Sequence, residues 1–160
     1  MSSFDRRSLL LVPLALAACG FRPVYGPGGT GSRLQNRVQV TAPEDRSSYL
    51  LVRRIEERLG RATDPAYALS VNLQTRVAGL GIDPAGNTNR FNLIGVAGYV
   101  LADATNGREL TSGTVNSFTG YFSAGSTVET LASERDARER LMVILGDQIV
   151  ARLLSADVAA

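Results

Sequence analysis

The segment AYALSVNLQTRV, residues 66–77, decides the fold because apolar and polar side chains alternate along its length. Large apolar residues occupy every second position from Tyr67 to Leu73 and return at Val77, with Ser, Asn, Gln and Arg between them. A period of two is typical of a β-strand with one buried face and one face toward water or a polar partner. We therefore predict a long, half-buried strand here.

Two more strands are predicted after this segment. Residues 81–89 are rich in turn formers, and residues 90–104 and 108–122 have strand character. Asn106-Gly107 between them is a strong signal for a two-residue hairpin, and successive hairpins indicate antiparallel pairing. The last of these strands is rich in Thr, Ser and Gly and carries aromatic residues near its end. Its weak burial pattern predicts an edge strand or a surface that meets another molecule.

Two helices and one short strand complete the pattern. Residues 33–42 predict the strand, and Pro43-Glu44-Asp45 predicts the start of a helix that ends at Gly60. A longer helix is expected from Ser126 or Thr127 to about Ser155. The apolar stripes of the two helices are Leu51, Val52, Ile55 and Leu59, and Leu141, Ile144, Leu145, Ile149 and Leu153. The order β-α-β-β-β-α predicts an α+β two-layer sandwich, with two helices on one face of a roughly four-stranded, mostly antiparallel sheet.

Several arginines lie off the apolar stripe of the first predicted helix. Arg53, Arg54, Arg58 and Arg61 accompany Glu57 on its other faces. One interpretation is a solvated face with Arg53–Glu57 and Glu57–Arg61 ion pairs at four-residue spacing. The other interpretation is a phosphate-binding patch, because guanidinium groups bind phosphate oxygens in pairs.

The N-terminus has the features of an export signal. A short basic start is followed by an apolar stretch over residues 8–18, which suits a signal peptide and is about half the length that a membrane-spanning helix needs. Leu16-Ala17-Ala18-Cys19 looks like the bacterial lipobox, in which the cysteine sulfur receives diacylglycerol and becomes the new N-terminus. We therefore expect a cleaved signal peptide over residues 1–18 and lipidation of Cys19.

The expected mature chain has a tether and one domain. Residues 19–32 are rich in Gly and Pro and predict a flexible tether, residues 33–156 predict a single α+β domain, and residues 157–160 form a short tail. The literal GxGxxG at residues 26–31 follows no strand, which argues against nucleotide binding. Gly20 rather than Asp after the cysteine predicts the outer membrane, periplasmic face, as the location.

Composition excludes most catalytic sites. The 160 residues contain one Cys and no His, which excludes an intrachain disulfide, a clustered-cysteine zinc site and a Ser–His or Cys–His nucleophile. We expect no metal and no cofactor, and a net charge of +2 predicts no nucleic acid partner. An enzyme using Glu134 or Asp83 as a general acid or base is the least favoured alternative, because these residues are more simply a solvated helical turn and a turn former.

The chain resembles the lipopolysaccharide-assembly lipoprotein family, LptE. The resemblance rests on Cys19-Gly20-Phe21, on the alternating strand at 67–77, and on residues 99–104 and 132–137, and it covers essentially the whole mature chain. It implies a non-enzymatic lipoprotein that plugs an LptD-type outer-membrane β-barrel, assists its assembly and helps deliver lipopolysaccharide to the outer leaflet. Basic residues contact lipopolysaccharide in the family, so Arg76 and Arg90 are the candidates for phosphate contacts. The alternative is another lipid-anchored module that recognises an envelope protein or peptidoglycan.

Overall fold

A computed structural model describes residues 24–82, 88–123, 126–156 and 158. The predicted signal peptide, Cys19 and Asp83 lie outside these residues. The elements in chain order are α1 (Thr30–Leu34), β1 (Val38–Val40), α2 (Arg46–Leu59), β2 (Tyr67–Ile82), β3 (Thr88–Asp103), β4 (Glu109–Phe122) and α3 (Thr127–Ser155).

The four strands form one sheet in the order β1-β2-β3-β4. The short β1 pairs in parallel with the start of β2, whereas β2, β3 and β4 form an antiparallel meander. β4 is an edge strand, as its polar sequence predicted. The predicted α+β sandwich with a mostly antiparallel sheet is confirmed.

The core lies between the helices and the odd-numbered side chains of β2 and β3. Leu69, Leu93 and Leu101 of the sheet are fully buried. They belong to one core with the apolar side chains that repeat every four residues along α3 and with the apolar stripe of α2. The helical residues of this core are Leu141, Leu145, Ile149, Leu153, Leu51, Ile55 and Leu59. Ile144 differs from the prediction and is 36% exposed. It precedes Leu145 by one residue, which turns its side chain about 100° away from the buried stripe.

α3 approaches the sheet closely where β3 has no side chain. A Cβ atom added at Gly95 would lie 2.9 Å from Cδ1 of Leu145 and 3.1 Å from Cδ2 of Leu141. Thr119 of β4 is buried nearby, and its hydroxyl donates to the carbonyl oxygen of Ala137 at 2.8 Å. The long helix is therefore held against β3 and β4 by both packing and a hydrogen bond.

α2 begins one residue after Asp45, later than the acidic run predicted. Asp45 has an extended backbone and is the N-cap; its carboxylate accepts from the Ser48 amide at 2.7 Å, while the Ser48 hydroxyl accepts from the Asp45 amide at 2.9 Å. This is a capping box, which satisfies two amides that the first turn leaves unpaired. At the other end Gly60, with a φ of 78°, ends the helix where the sequence predicted.

The connection between β3 and β4 is longer than the predicted two-residue hairpin. The Asp103 amide donates to Arg108 O and the Gly107 amide donates to Asp103 O, so residues 104–107 form the loop. The Asp103 carboxylate accepts from the Thr105 amide and the Asn106 side chain accepts from the Arg108 amide. These local bonds stabilise a four-residue loop instead of a two-residue turn, which would need positive φ at both central residues; only Gly107 has one.

Part of the predicted tether lies in the described structure. Residues 30–34 form α1, in which the Thr30 hydroxyl donates to Ala156 O at 3.3 Å and Leu34 is fully buried. The predicted strand at residues 33–42 is reduced to Val38–Val40, because α1 occupies its beginning.

Candidate functional site

The sheet face that the helices leave uncovered is the candidate site, and we call it the open face. It is built from the even-numbered side chains of β2, β3 and β4, because neighbouring residues of a strand point to opposite sides. Most side chains of its middle part are small or polar, and two are valines, Val96 and Val100; the small and polar residues are Ser70, Asn72, Gln74, Gly98, Ser112, Thr114 and Asn116. This part can hydrogen-bond to water or to a polar partner.

One end of the open face combines basic side chains with apolar ones, of which the two phenylalanines are exposed and Ile94 is half-buried. Arg76, Ile94 and Phe118 lie opposite one another in a single row across β2, β3 and β4. Arg90 lies four residues before Ile94 on β3, opposite Phe122 of β4. Phe118 is 63% exposed and Phe122 is 58% exposed. We call these five residues the distal cluster.

The distal cluster presents two guanidinium groups, one of which contacts an aromatic ring. The Arg90 guanidinium carbon lies 5.1 Å from the centroid of the Phe122 ring, which is a cation–π contact. Four residues along β3 and one strand spacing separate the two arginines, so their Cα atoms lie roughly 14 Å apart. Among the described residues, neither arginine forms an ion pair. Both cations are therefore available to an external anion.

Aromatic packing beneath the cluster supports it from the helix side. Phe91 and Tyr121, the strand neighbours of Arg90 and Phe122, stack with their ring centroids 5.3 Å apart. Burial raises the pKa of Tyr121 above its usual value, with a smaller contribution in the same direction from Glu134. Tyr121 is thus a neutral part of the packed layer, whereas its neighbour Phe122 points to the open face.

The arginines of α2 differ from those of the distal cluster because they are paired. Arg54 donates twice to the Asp147 carboxylate of α3, at 3.0 and 2.9 Å, and Arg53 lies 3.4 Å from Glu57. The predicted Arg53–Glu57 pair is confirmed. The predicted Glu57–Arg61 pair is wrong, because Arg61 instead contacts Glu56 at 2.8 Å, on the same side of the helix end. These ion pairs favour the solvated face over a phosphate-binding patch.

The carboxylates offered for an enzymatic alternative are not assembled into a site. Glu134 accepts from Arg138 at 2.5 Å, and both side chains are half-buried rather than fully solvated. Asp83 lies outside the described residues. Within the described part of the chain, no group of three or more acidic, His or Cys side chains could hold a metal ion.

The structure places Arg76 and Arg90 at the same end of the same face. It adds Ile94, Phe118 and Phe122, which sequence reasoning did not assign to the site. The signal available was the cluster of aromatic residues at the end of the last strand, but the alternation alone could not say that Phe118 and Phe122 face outward while Tyr121 faces the helices.

Comparison with protein families identifies the chain. The family model for lipopolysaccharide assembly, LptE, matches residues 35–153, which include all four strands and most of α3. The chain belongs to the LptE family. This family is non-catalytic, and LptE membership gives the chain a role in lipopolysaccharide assembly as an outer-membrane lipoprotein. No curated protein matches the chain significantly.

Solved structures share the LptE fold. A Caulobacter crescentus CB15 protein assigned as a lipoprotein is 24% identical, with a TM-score of 0.67 over 80% of this chain and 95% of that one. Rare lipoprotein B from Shewanella oneidensis is 14% identical, with a TM-score of 0.58 over 74% of this chain and 92% of that one. Lipoprotein B from Nitrosomonas europaea is 17% identical, with a TM-score of 0.57 and coverage of 74% and 82%. At these identities the likeness shows the fold.

The described helices contain no membrane-spanning candidate. None of them combines the length and the apolar character that crossing a bilayer requires.

Proposed function

We propose that this LptE-family chain, lipidated on Cys19 at the periplasmic face of the outer membrane, binds and plugs an LptD-type β-barrel. In that complex it assists barrel assembly and the delivery of lipopolysaccharide to the outer leaflet, without catalysing a reaction. The polar middle of the open face supports this proposal, because the lumen of a membrane β-barrel is polar and a plug needs a polar surface.

The distal cluster is the observation that carries the lipopolysaccharide part of the proposal. Lipopolysaccharide has phosphate groups beside acyl chains, so a site for it needs cations next to exposed apolar surface. Arg76 and Arg90 supply the cations, and Ile94, Phe118 and Phe122 supply the apolar surface. Arginine suits phosphate because its planar guanidinium can donate two parallel hydrogen bonds.

Single substitutions test the two arginines. Arg76→Ala and Arg90→Ala should each weaken lipopolysaccharide binding about tenfold in a competition assay, since one charge-assisted contact contributes about 1.5 kcal/mol. Unchanged affinity in both variants would refute these assignments.

Affinity purification tests the complex. The tagged full-length protein, extracted from outer membranes in mild detergent, should co-elute with a large β-barrel protein in a one-to-one ratio. Mass spectrometry of the same sample checks that Cys19 carries its lipid. Absence of the barrel from a correctly lipidated sample would contradict the proposal and favour a module that recognises another envelope protein or peptidoglycan.

A further inference from the structure

The outer edge of β2 has a neighbouring strand over only a fraction of its length. β1 pairs with Tyr67–Leu69 and ends at Val40. The last bond of this pairing runs from the Thr41 amide to Leu69 O at 2.9 Å. The chain then turns away through Pro43 to begin α2, whereas β2 continues to Ile82. In the described part of the chain, no strand lies beside this edge beyond Leu69.

The register of β1 shows which backbone groups point outward from this edge. The Tyr67 amide donates to Arg37 O, and Leu69 O accepts from Thr41, so odd-numbered residues of β2 direct their backbone groups away from β3. This orientation repeats every second residue along a strand. Val71, Leu73, Thr75 and Val77 therefore present N–H and C=O groups at the edge. No hydrogen bond from another described residue reaches them.

The opposite edge of the sheet is contacted by a side chain of α3 at one point. At β4, the Arg140 side chain donates to Gly120 O at 3.3 Å. Exposed edges are commonly blocked by Pro, by Lys or by a covering helix, because unpaired edges bind other strands. Neither β2 nor β4 contains Pro, and the chain contains no Lys, so the sequence blocks neither edge. Among the described residues, positions 70–82 of β2 have no neighbouring strand on the side away from β3.

A groove beside the β2 edge offers room and charge for a bound strand. It has a volume of about 330 Å³ and is lined by residues 41–45 and 71–73, with Ser48, Leu51 and Val52 of α2. Glu44 and Asp45 lie at its α2 end. Arg76 lies further along β2, on the open face. A strand bound here would have an acidic neighbour at one end and a basic neighbour at the other.

We propose that the β2 edge from Val71 to Val77 binds an extended segment of the partner barrel protein as a fifth strand of the sheet. The segment would alternate apolar side chains, directed toward the groove beside Leu51 and Val52, with polar side chains that extend the open face. A basic residue would lie near Glu44 and Asp45. Backbone hydrogen bonds would supply the affinity, as they do when a peptide adds to a sheet edge. The inference rests on the proposed barrel complex and names the surface through which it forms.

Amide hydrogen exchange of the free protein and of the purified complex tests this docking. The amides of Val71, Leu73, Thr75 and Val77 should exchange quickly in the free protein and at least tenfold more slowly in the complex. The Asn72 and Gln74 amides are internal controls, because they point toward β3 and should be protected in both samples. A complex that forms while the odd-numbered amides stay unprotected would refute the strand and leave the complex standing. Failure of any complex to form would instead refute the proposed function.

A substitution at Thr75 gives a second test. Thr75→Pro removes one outward N–H and no bond to β3, and edge positions of this kind tolerate proline. It should lower the yield of the co-purified barrel at least tenfold, whereas Thr75→Val, which keeps the N–H, should not change it. Circular dichroism of the free Thr75→Pro variant checks that it folds. If the variant does not fold, the hydrogen-exchange data on the unsubstituted protein alone test whether a strand binds to the β2 edge. Protection in the free protein together with a dimeric native mass would assign the edge to a second copy and overturn the proposal.

Discussion

The two faces of the sheet are built from the same three long strands, yet they differ in burial and chemistry. On the helix face, Leu69, Leu93 and Leu101 are at most 1% exposed. On the open face, Phe118 and Phe122 are more than half exposed, and the Arg90 guanidinium, which forms no ion pair with a described residue, lies over the Phe122 ring. Consecutive residues of one strand therefore have different roles: one stabilises the fold, and the next is available to a ligand. Substitutions at neighbouring positions can separate the two roles.

Leu93→Ala should have the largest effect on stability. Leu93 packs in the core on the helix face, and truncation of a fully buried leucine costs about 3 kcal/mol of unfolding free energy. The matched control is its neighbour Ile94→Ala, on the open face, which should cost less than about 1 kcal/mol. Urea denaturation of both variants measures the difference. Equal losses would show that the open face is as tightly packed as the core.

Asp45→Ala should have a smaller effect that depends on pH. Hydrogen bonds from Ser48 lower the pKa of Asp45 in the folded protein. The carboxylate therefore contributes its stability above its unfolded pKa, and the contribution is lost as the pH falls through the lower folded pKa. Loss of this N-cap should cost about 1 kcal/mol at pH 7. The difference from the unsubstituted protein should shrink below about pH 4.

Denaturation of the Asp45→Ala variant and of the unsubstituted protein between pH 7 and pH 3 measures this difference in unfolding free energy. The Leu93→Ala difference should stay constant over the same range, because no titrating group is removed. A pH-independent Asp45→Ala difference would show that the cap charge does not stabilise α2. Any pH dependence of the unfolding free energy would then come from carboxylates other than Asp45.

The sequence predicted one face of the sheet better than the other. The alternation over residues 67–77 and the apolar residues spaced by four in α3 identify the buried side chains, because positions on a buried face are apolar at regular intervals along the sequence. The aromatic residues of β4 could not be assigned to a face in that way. Their orientation depends on the register shift between Leu101 and Ala102, and a shift of one residue exchanges the two faces of a strand. A two-residue hairpin at Asn106-Gly107 would have turned Phe118 toward the helices.

The unpaired edge of β2 could not be predicted from the sequence either. The pattern over residues 33–42 indicated a strand, but not that only Val38–Val40 would pair with β2. Where β1 ends is decided by the turn at Pro43 and by the cap at Asp45, which begin α2. Local signals of that kind define the ends of elements, whereas the edge left free is a property of the assembled sheet.

We propose that the open face binds lipopolysaccharide, whereas the helix face stabilises the fold. The most direct test of this proposal is the affinity for lipopolysaccharide of the double variant Arg76→Ala/Arg90→Ala, with the unfolding free energy measured on the same preparation. Arg108→Ala, which removes the arginine between the β3–β4 loop and β4 at the other end of the sheet, is the matched control. We expect a loss of affinity of about a hundredfold in the double variant, little change in the control, and unfolding free energies within about 0.5 kcal/mol of the unsubstituted protein. Unchanged affinity in a folded double variant would contradict the proposal.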